Sequence, residues 1–234
     1  ITHLLLFYFC YRYQASENRT AFYYPHNNKL EILWTTIPAF ALVVLVVVGL
    51  KNWFAMTDIP PKDSLVVEIV GKQFNWIIHY PGPDGVLGKR DFRLINDATN
   101  VIGLDWNDPA SKDDIILENG EMHIIKNRPV HLVINSRDVI HDVGLPHFRM
   151  KMDAVPGITT TMWFTPKYTT REMQVKTKNS NFVYEISCDQ MCGKGHYSMR
   201  GTVIVQTAKD FKDWIGNQNS YYAQQQPAPT SSPS

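Results

Sequence analysis

The stretch Ser187-Cys-Asp-Gln-Met-Cys-Gly-Lys-Gly-His-Tyr-Ser-Met199 decides how this chain must fold, because its side chains form a ligand set. Two thiols, an imidazole and a thioether fall within twelve residues: Cys188, Cys192, His196 and Met199. Soft sulfur and nitrogen ligands of this kind suit copper. The short spacing, with Gly193 directly after the second cysteine, lets one tight loop direct both sulfur atoms to the same place.

A second histidine, His141, lies upstream after a predicted strand and can complete the site. Two cysteines and two histidines can also bind zinc tetrahedrally. Copper is favoured because Met199 offers a soft, weak axial ligand that zinc does not need. A mononuclear blue-copper site uses a single cysteine, whereas two thiolates that bridge two coppers would use both. A disulfide between the two cysteines is the simpler alternative. It would close only a small loop and would therefore stabilise the fold little.

The segments on either side of this stretch read as short strands separated by turn residues. Together they predict roughly seven strands: Leu65–Tyr80, Met122–Lys126, Val130–Asn135, Thr159–Phe164, Glu172–Thr177, Phe182–Ser187 and Gly201–Thr207. Only Ala208–Ile215 among the later segments looks helical, and residues 100–119 look like an acidic surface excursion. Many short strands with Gly and Pro turns predict a sandwich or a Greek-key barrel.

The N-terminal quarter of the chain has a different composition. No charged residue occurs between Ile32 and Leu50, a length that spans a bilayer as a helix. The run Ile1–Cys10 is also apolar but too short to span alone, so we expect an incomplete first helix. Arg12, Arg19 and Lys29 lie between the two runs and place this connection in the cytoplasm by the positive-inside rule. Everything after the second helix would then face outward.

These patterns divide the chain into three parts. Residues 1–58 are predicted to be a transmembrane helical hairpin, with helices at about 1–13 and 32–54. Pro60-Pro61 begin a linker, so 59–216 form the all-β domain. The low-complexity end predicts a disordered tail over 217–234. The net charge of +1 argues against a nucleic-acid partner.

The string Cys188-Asp-Gln-Met-Cys-Gly-Lys-Gly-His-Tyr-Ser-Met199 resembles the binuclear CuA motif C-x-x-x-C-x-x-x-H-x-x-M of cytochrome c oxidase subunit II, of the bacterial type. Three further segments resemble the same family in the same order. They are the second membrane helix, the aromatic segment and the stretch with the first histidine ligand: Leu30–Ala39, Gly71–Trp76 and Ser136–Gly157. The resemblance implies a cupredoxin-like Greek-key barrel after the membrane hairpin.

The resemblance also implies the ligand roles. Cys188 and Cys192 would bridge two coppers, His141 and His196 would each bind one, and Met199 would be a weak ligand. The backbone carbonyl of Gln190 would be the other weak ligand, completing the metal set. In much of the family a glutamate at this last position helps to hold magnesium at the interface with subunit I. Because this chain has glutamine at position 190, the resemblance does not predict whether magnesium is bound.

The function implied by the resemblance is to receive electrons for a proton-pumping cytochrome c oxidase. Electrons would pass from a cytochrome c to the copper pair and on to haem in subunit I, which also holds CuB and reduces oxygen to water. No catalytic residue for the oxygen chemistry is expected on this chain. The other partners would be further oxidase subunits and the bacterial inner membrane, with the copper domain on the periplasmic side.

Five further positions correspond to residues with roles in the family. Glu31, at the start of the second membrane helix, matches a glutamate at the mouth of a proton pathway into subunit I, although an acid there is also favoured by the helix dipole. Phe74 replaces the usual tryptophan where electrons arrive, and Trp76 remains. Asp138 is kept on the donor-docking face, whereas Arg137 replaces an acid. We therefore expect a donor other than free mitochondrial-type cytochrome c, such as a haem domain of a partner complex.

Three alternatives stay open from the sequence. The CuA domain of a nitrous oxide reductase shares the motif, but a membrane hairpin is not expected there. A quinol-oxidase subunit II shares the fold and the hairpin but typically lacks the copper ligands. A structural zinc domain on a membrane anchor is the non-redox alternative.

Overall fold

The computed structural model describes residues 1–225 and divides the chain into two compact units, one over Ile1–Lys51 and one from Asn52 onward. The first unit is helical, and the strands lie in the second, together with further helices. The predicted order of a helical N-terminal region and an all-β domain is therefore confirmed.

The helices of the first unit are α1, Thr2–Arg12, and α2, Asn28–Thr57. The side chain of Asn27 accepts a hydrogen bond from the Leu30 N–H at 3.0 Å and so caps the start of α2. Within residues 1–225, α2 is the one helix long and apolar enough to cross a membrane. Its apolar side chains are exposed, as a lipid-facing helix requires. A second span stays a prediction.

The second unit is a sandwich of two five-stranded sheets. One sheet has the order β3-β2-β1-β5-β8, with bounds Ile115–Leu117, Asn75–Tyr80, Leu65–Lys72, Val130–Ser136 and Thr160–Phe164. The other has the order β4-β10-β9-β6-β7, with bounds Glu121–Ile125, Arg200–Gln206, Tyr184–Cys188, His141–Leu145 and Met150–Ala154. The helices α3, Thr170–Thr177, α4, Ala208–Gly216, and α5, Tyr221–Gln225, complete the chain to its last described residue.

The core lies between the two sheets because β-branched and aromatic side chains alternate toward that side of each strand. Its fully buried members include Val67, Ile69, Trp76, Leu132, Ile134, Met122, Ile124, Val143 and Val203. Two pairings are parallel, β1 with β5 and β10 with β4, and the rest are antiparallel. These parallel pairs cannot be made by hairpins, so the chain crosses between the sheets as Greek-key folds do.

The segment Glu172–Thr177, predicted as a strand, is instead part of the helix α3. Thr169 accepts a hydrogen bond from the Glu172 N–H at 3.1 Å, and the Glu172 carboxylate accepts one from the Thr169 N–H at 2.7 Å. This reciprocal pair is a capping box, which satisfies donors at the helix start. The Thr-x-x-Glu spacing was a visible signal, and it outweighs the strand propensity of the residues after it.

Two other predictions need correction. Residues 100–119 are not simply a surface excursion, because Val101, Ile102 and Leu104 are buried in a second hydrophobic cluster. The tail predicted as disordered over 217–234 begins too early, since residues 221–225 form α5 and Tyr221 is buried in the same cluster. The Tyr221 N–H donates to the Asp114 carbonyl at 2.7 Å, which fixes the start of that helix. Residues 226–234 lie outside the described residues.

A buried group of charged residues holds this excursion against the sheet. The imidazole of His79 lies between two carboxylates, with Nδ1 2.7 Å from Glu68 and Nε2 2.8 Å from Asp114. Arg90 also pairs with Glu68, and the Asn135 amide donates to it at 2.7 Å. Glu68, His79 and Asp114 are almost completely buried, so each depends on the others for compensation.

This group contributes stability over a defined pH range. Burial on its own would lower the pKa of His79, but the carboxylates of Asp114 and Glu68 outweigh it and raise the pKa. Burial would raise the pKa of Glu68, but His79, Arg90 and Asn135 lower it. The stability from Glu68 is lost as pH falls through its lowered pKa, and that from His79 is lost as pH rises through its raised pKa. The stabilisation from both residues is therefore fully present between pH 4.5, the unfolded pKa of Glu68, and pH 6.5, the unfolded pKa of His79.

Replacing Glu68 with glutamine should destabilise the second unit strongly. The substitution leaves the His79 and Arg90 cations without their shared carboxylate in a buried place, which costs about 3 kcal/mol or more. Urea unfolding of the full chain in a neutral detergent, followed by tryptophan fluorescence, measures the difference. The control is Glu185→Gln, whose exposed pair with Arg200 is worth at most about 1 kcal/mol. Equal losses in the two variants would contradict this assignment.

Candidate metal centre

The ligand residues lie where three adjacent strands begin or end. His141 is the first residue of β6, Cys188 is the last of β9, and Met199 directly precedes β10. Between β9 and β10 the chain forms a loop that carries Cys192 and, in a short 3-10 turn, His196. Because β9 pairs with both β6 and β10, the two ends of the loop and His141 are held side by side.

The ligand atoms converge. The two Sγ atoms of Cys188 and Cys192 are 3.7 Å apart. His141 Nδ1 lies 3.8 Å from the Cys188 sulfur, and His196 Nδ1 lies 3.7 Å from the Cys192 sulfur. Met199 Sδ is 3.8 Å from the Cys192 sulfur, and the Gln190 carbonyl oxygen is 3.2 Å from the Cys188 sulfur. The arrangement is one histidine and one weaker donor beside each thiol.

This donor set fits a metal shared between the sulfurs. Two sulfur ligands at about 2.3 Å from one tetrahedral metal lie about 3.8 Å apart, and a sulfur and a nitrogen ligand lie slightly closer together. The observed separations of 3.7 and 3.8 Å match that requirement without rearrangement. Six donor atoms, of which one is a thioether and one a carbonyl, exceed the four that a structural zinc site uses. The surplus favours a copper centre over a structural zinc site.

The cysteines are free thiols, and both are buried. Burial, followed by the hydrogen bond with the Cys188 sulfur, raises the pKa of the Cys192 thiol to about 11. A thiol of this kind gives up its proton when a metal cation takes its place, since the thiolate is the ligand form. His141 and Met199 are also buried, whereas His196 is half-buried and lies nearer the surface.

The orientation of His141 is set by Asp138. His141 Nε2 lies 2.7 Å from the Asp138 carboxylate and donates its proton there, so Nδ1 is the nitrogen directed at Cys188. Partial burial would raise the pKa of Asp138, but hydrogen bonds from the Gln73 N–H, His141 and the Val139 N–H lower it. The carboxylate is thus kept ionised as an acceptor. The docking role predicted for Asp138 stays a prediction beside this positioning role.

Two close contacts hold β1 and the loop after it against the ligands. A Cβ on Gly71 would lie 2.6 Å from the His141 ring, so only glycine allows the imidazole to pack on this strand. The Gln73 side-chain amide donates to the Cys192 carbonyl at 2.7 Å. Gln73 therefore links the cysteine-bearing loop to the strand that packs on His141, a role that no sequence pattern indicated.

The aromatic residues predicted to receive electrons lie at different depths. Phe74 is 38% exposed, and its ring packs so closely on Gly195 that a Cβ there would lie 2.5 Å from it. Trp76 is fully buried, with its ring 6.0 Å from that of His141 in an edge-on arrangement. Phe74 thus reaches solvent and touches the ligand loop, while Trp76 packs beneath the first histidine.

The remaining predicted positions lie elsewhere. Glu31 is in the first turn of α2, where its carboxylate accepts from the Asn27 N–H at 3.4 Å. Arg137 donates to the Val101 carbonyl at 2.8 Å and pairs with Asp97 at 2.9 Å, so it is tied to the excursion. His123 stacks on Trp214 with ring centroids 3.8 Å apart, away from the ligands.

Comparison with known proteins shows the family to which the chain belongs. Residues 65–207 match the family model described as the cytochrome c oxidase subunit II periplasmic domain, and residues 1–51 match its transmembrane domain. The chain is 35% identical over 218 residues to the alternative cytochrome c oxidase subunit 2 of Bradyrhizobium diazoefficiens, covering 93% of this chain and 74% of the relative. It is 31% identical over 215 residues to a probable cytochrome c oxidase subunit 2 of Rickettsia conorii, covering 92% of this chain and 61% of the relative.

A solved structure is also similar. The periplasmic domain of cytochrome oxidase subunit II of Bradyrhizobium japonicum aligns at 25% identity with a TM-score of 0.45, covering 67% of this chain and 94% of that one.

Replacing Asp138 with asparagine should weaken metal binding without unfolding the domain. Loss of the carboxylate that orients a metal-binding histidine typically costs 10- to 100-fold in affinity. Copper affinity of the purified full chain, measured by competition with a chelator, gives the change. Asp97→Asn is the matched control, because it removes an exposed carboxylate that touches no ligand. An unchanged affinity in the Asp138 variant would rule out the positioning role.

Proposed function

Since this chain belongs to the cytochrome c oxidase subunit II family, we propose that it is the copper-bearing, electron-receiving subunit of a proton-pumping oxidase. A cytochrome donor would deliver electrons to this subunit, and haem in subunit I would take them up for the reduction of oxygen. The chain would act as part of an oxidoreductase complex and carry none of the oxygen chemistry itself.

One observation supports this proposal above the others. Two buried thiols lie 3.7 Å apart, and each has its own histidine and its own weak donor. This two-sided set would hold two copper ions, with Cys188 and Cys192 as the bridges. A single structural zinc would leave part of it unused.

The residues of the chain would supply binding and rigidity. Bound copper would supply a one-electron couple that is spread over both ions through the thiolates. The strands β6, β9 and β10 would keep the ligands in one geometry whatever the oxidation state, and Asp138 would prevent His141 from turning. Burial of Cys188, Cys192 and Met199 excludes water and leaves no open position for a substrate.

Electrons would arrive at Phe74. Its ring is exposed on one side and packs on Gly195 of the ligand loop on the other, which gives a connection from solvent to the ligands. The neighbouring charges are mixed, because Lys72 and Arg137 both pair with Asp97. A mixed surface supports the expectation of a donor other than free mitochondrial-type cytochrome c, such as a haem domain of a partner complex.

The membrane part of the proposal concerns Glu31 and the anchor. We place α2 in a bacterial inner membrane with the copper domain on the periplasmic side and α1 as part of a second span. Glu31 would stand at the mouth of a proton pathway into subunit I. We make no proposal for magnesium at the interface with subunit I, because Gln190 lacks a carboxylate.

Metal content and electron paramagnetic resonance test the copper centre. The full chain purified with copper should hold two coppers and give a mixed-valence signal, because one unpaired electron would be shared between the two ions. Cys192→Ser should abolish that signal and lower copper to one ion or none, whereas Cys10→Ser, in the first helix, should leave both unchanged. One spin-silent zinc in the unaltered chain would refute the proposal.

Replacing Phe74 with alanine tests where electrons arrive. Removing an aromatic anchor from the centre of a docking site should lower the second-order rate of copper reduction by the donor about tenfold. Stopped-flow reduction of the copper-loaded oxidase measures that rate. Phe92→Ala removes a more exposed ring, from a short 3-10 turn at Phe92–Leu94, and should have no effect. If a soluble mitochondrial-type cytochrome c reduces the protein at a normal rate that falls steeply with salt, the expected donor class is wrong.

A further inference from the structure

A cavity lies at the opposite end of the sandwich from the ligands. Its volume is about 570 Å³, within the range of about 300–1,000 Å³ typical of ligand pockets. It is bounded by the start of β1, the end of β2 and the turn after it, the start of β3, and the end of α4. Gly71 contacts His141 at one end of β1 and Leu65 lines the cavity at the other. Six residues of strand separate them by about 20 Å.

The inner wall of the cavity is apolar. Phe211 and Ile215 are four residues apart on α4 and therefore lie on one face of that helix. Opposite them are Leu65, Tyr80 and Ile115 from the three strands of the sheet. The Tyr80 hydroxyl donates to the His123 carbonyl at 2.9 Å, so it is already satisfied and only its ring is presented. This wall suits a hydrocarbon chain.

The mouth of the cavity is positively charged. Lys112 and Arg128 line it, and neither forms an ion pair with an acidic residue in the part of the chain that the structure describes. The Arg128 Nε–H donates to the Asp63 carbonyl at 2.9 Å, which holds the guanidinium at the rim. Asp113 is the acidic lining residue, and its carboxylate accepts from the Asp84 N–H at 3.2 Å. The net charge of the lining is therefore positive.

The covalent connection limits the distance between the cavity and the end of α2. Ser64, which lines the cavity, follows the last residue of α2, Thr57, by only seven positions. Such a linker spans at most about 25 Å, so Thr57 and Ser64, both in the second unit, lie within that distance of each other.

We propose that this cavity binds a long-chain carboxylate, with the alkyl chain against Phe211 and Ile215 and the carboxylate between Lys112 and Arg128. The site is separate from the copper centre and does not depend on the function proposed for it. The apolar wall selects the chain, and the two cations select an anionic head group over a neutral one.

Photolabelling of the full chain tests the site. A long-chain carboxylate that carries a photoreactive diazirine is added to the purified protein in neutral detergent, and labelled peptides are mapped by mass spectrometry. We expect label in the peptides that contain residues 64–66, 80–85 and 211–218. Unlabelled palmitate should compete for these peptides, whereas hexadecanol, with the same chain and no charge, should not. Label in α2 reports non-specific partitioning and serves as an internal reference.

The double variant Lys112→Gln/Arg128→Gln should lower the label in the cavity peptides about tenfold relative to α2, since two exposed charges are removed. The matched control, Lys126→Gln/Arg171→Gln, removes two basic side chains from another surface and should change nothing. Equal competition by hexadecanol, or full labelling of the double variant, would overturn the proposal. Labelling that occurs only after truncation beyond Gln225 would also overturn it, because the chain's own C-terminal segment would then be the occupant.

Discussion

The second unit depends on one constraint. Its six donor groups, which are two thiols, two imidazoles, a thioether and a carbonyl, must converge closely enough to bind at the same metal centre. The Sγ–Sγ separation of 3.7 Å is possible only because Cys188 ends β9 and Cys192 returns toward it in a tight loop. Antiparallel pairing of β9 with β6 then brings His141 to the same place. A slip of one residue in either pairing would turn these side chains to the other face of the sheet. The register of the sheet is thus also the geometry of the metal centre.

The residues around the ligands also hold the geometry of the metal centre. Asp138 accepts from His141 with one oxygen and from the Gln73 N–H with the other, while the Gln73 side chain donates to Cys192. The loop after β1 therefore contacts both sides of the centre, and Phe74 extends from that loop to solvent. Three hydrogen bonds therefore connect the histidine with the cysteine loop: His141 to Asp138, the Gln73 N–H to Asp138, and the Gln73 side chain to the Cys192 carbonyl. A donor that docks on Phe74 would touch the segment that also orients the ligands.

The other end of the sandwich is built by different interactions. There the buried group around Glu68 and His79 attaches the excursion, and α4 covers the edge of the sheet with Phe211 and Ile215. A cavity remains between α4 and the strands at this end. Metal binding and the proposed carboxylate site thus occupy the two ends of the same strands, about 20 Å apart.

The amino-acid sequence by itself determined the apolar helix α2 and the strand-rich character of the second unit, and its short spacing singled out Cys188, Cys192, His196 and Met199 as candidate ligands, because hydropathy, strand propensity and ligand spacing are local patterns. It did not reveal the hairpin of β6 and β7, nor the burial of residues 101–104 and Tyr221. The capping box of α3 was visible but was obscured by the β-propensity of its neighbours. Only the tertiary structure decided that Asp138 orients His141, that Gln73 binds the cysteine loop and that His79 lies between two carboxylates. These contacts join residues far apart in the chain, or depend on which way a side chain turns, and no local pattern encodes either.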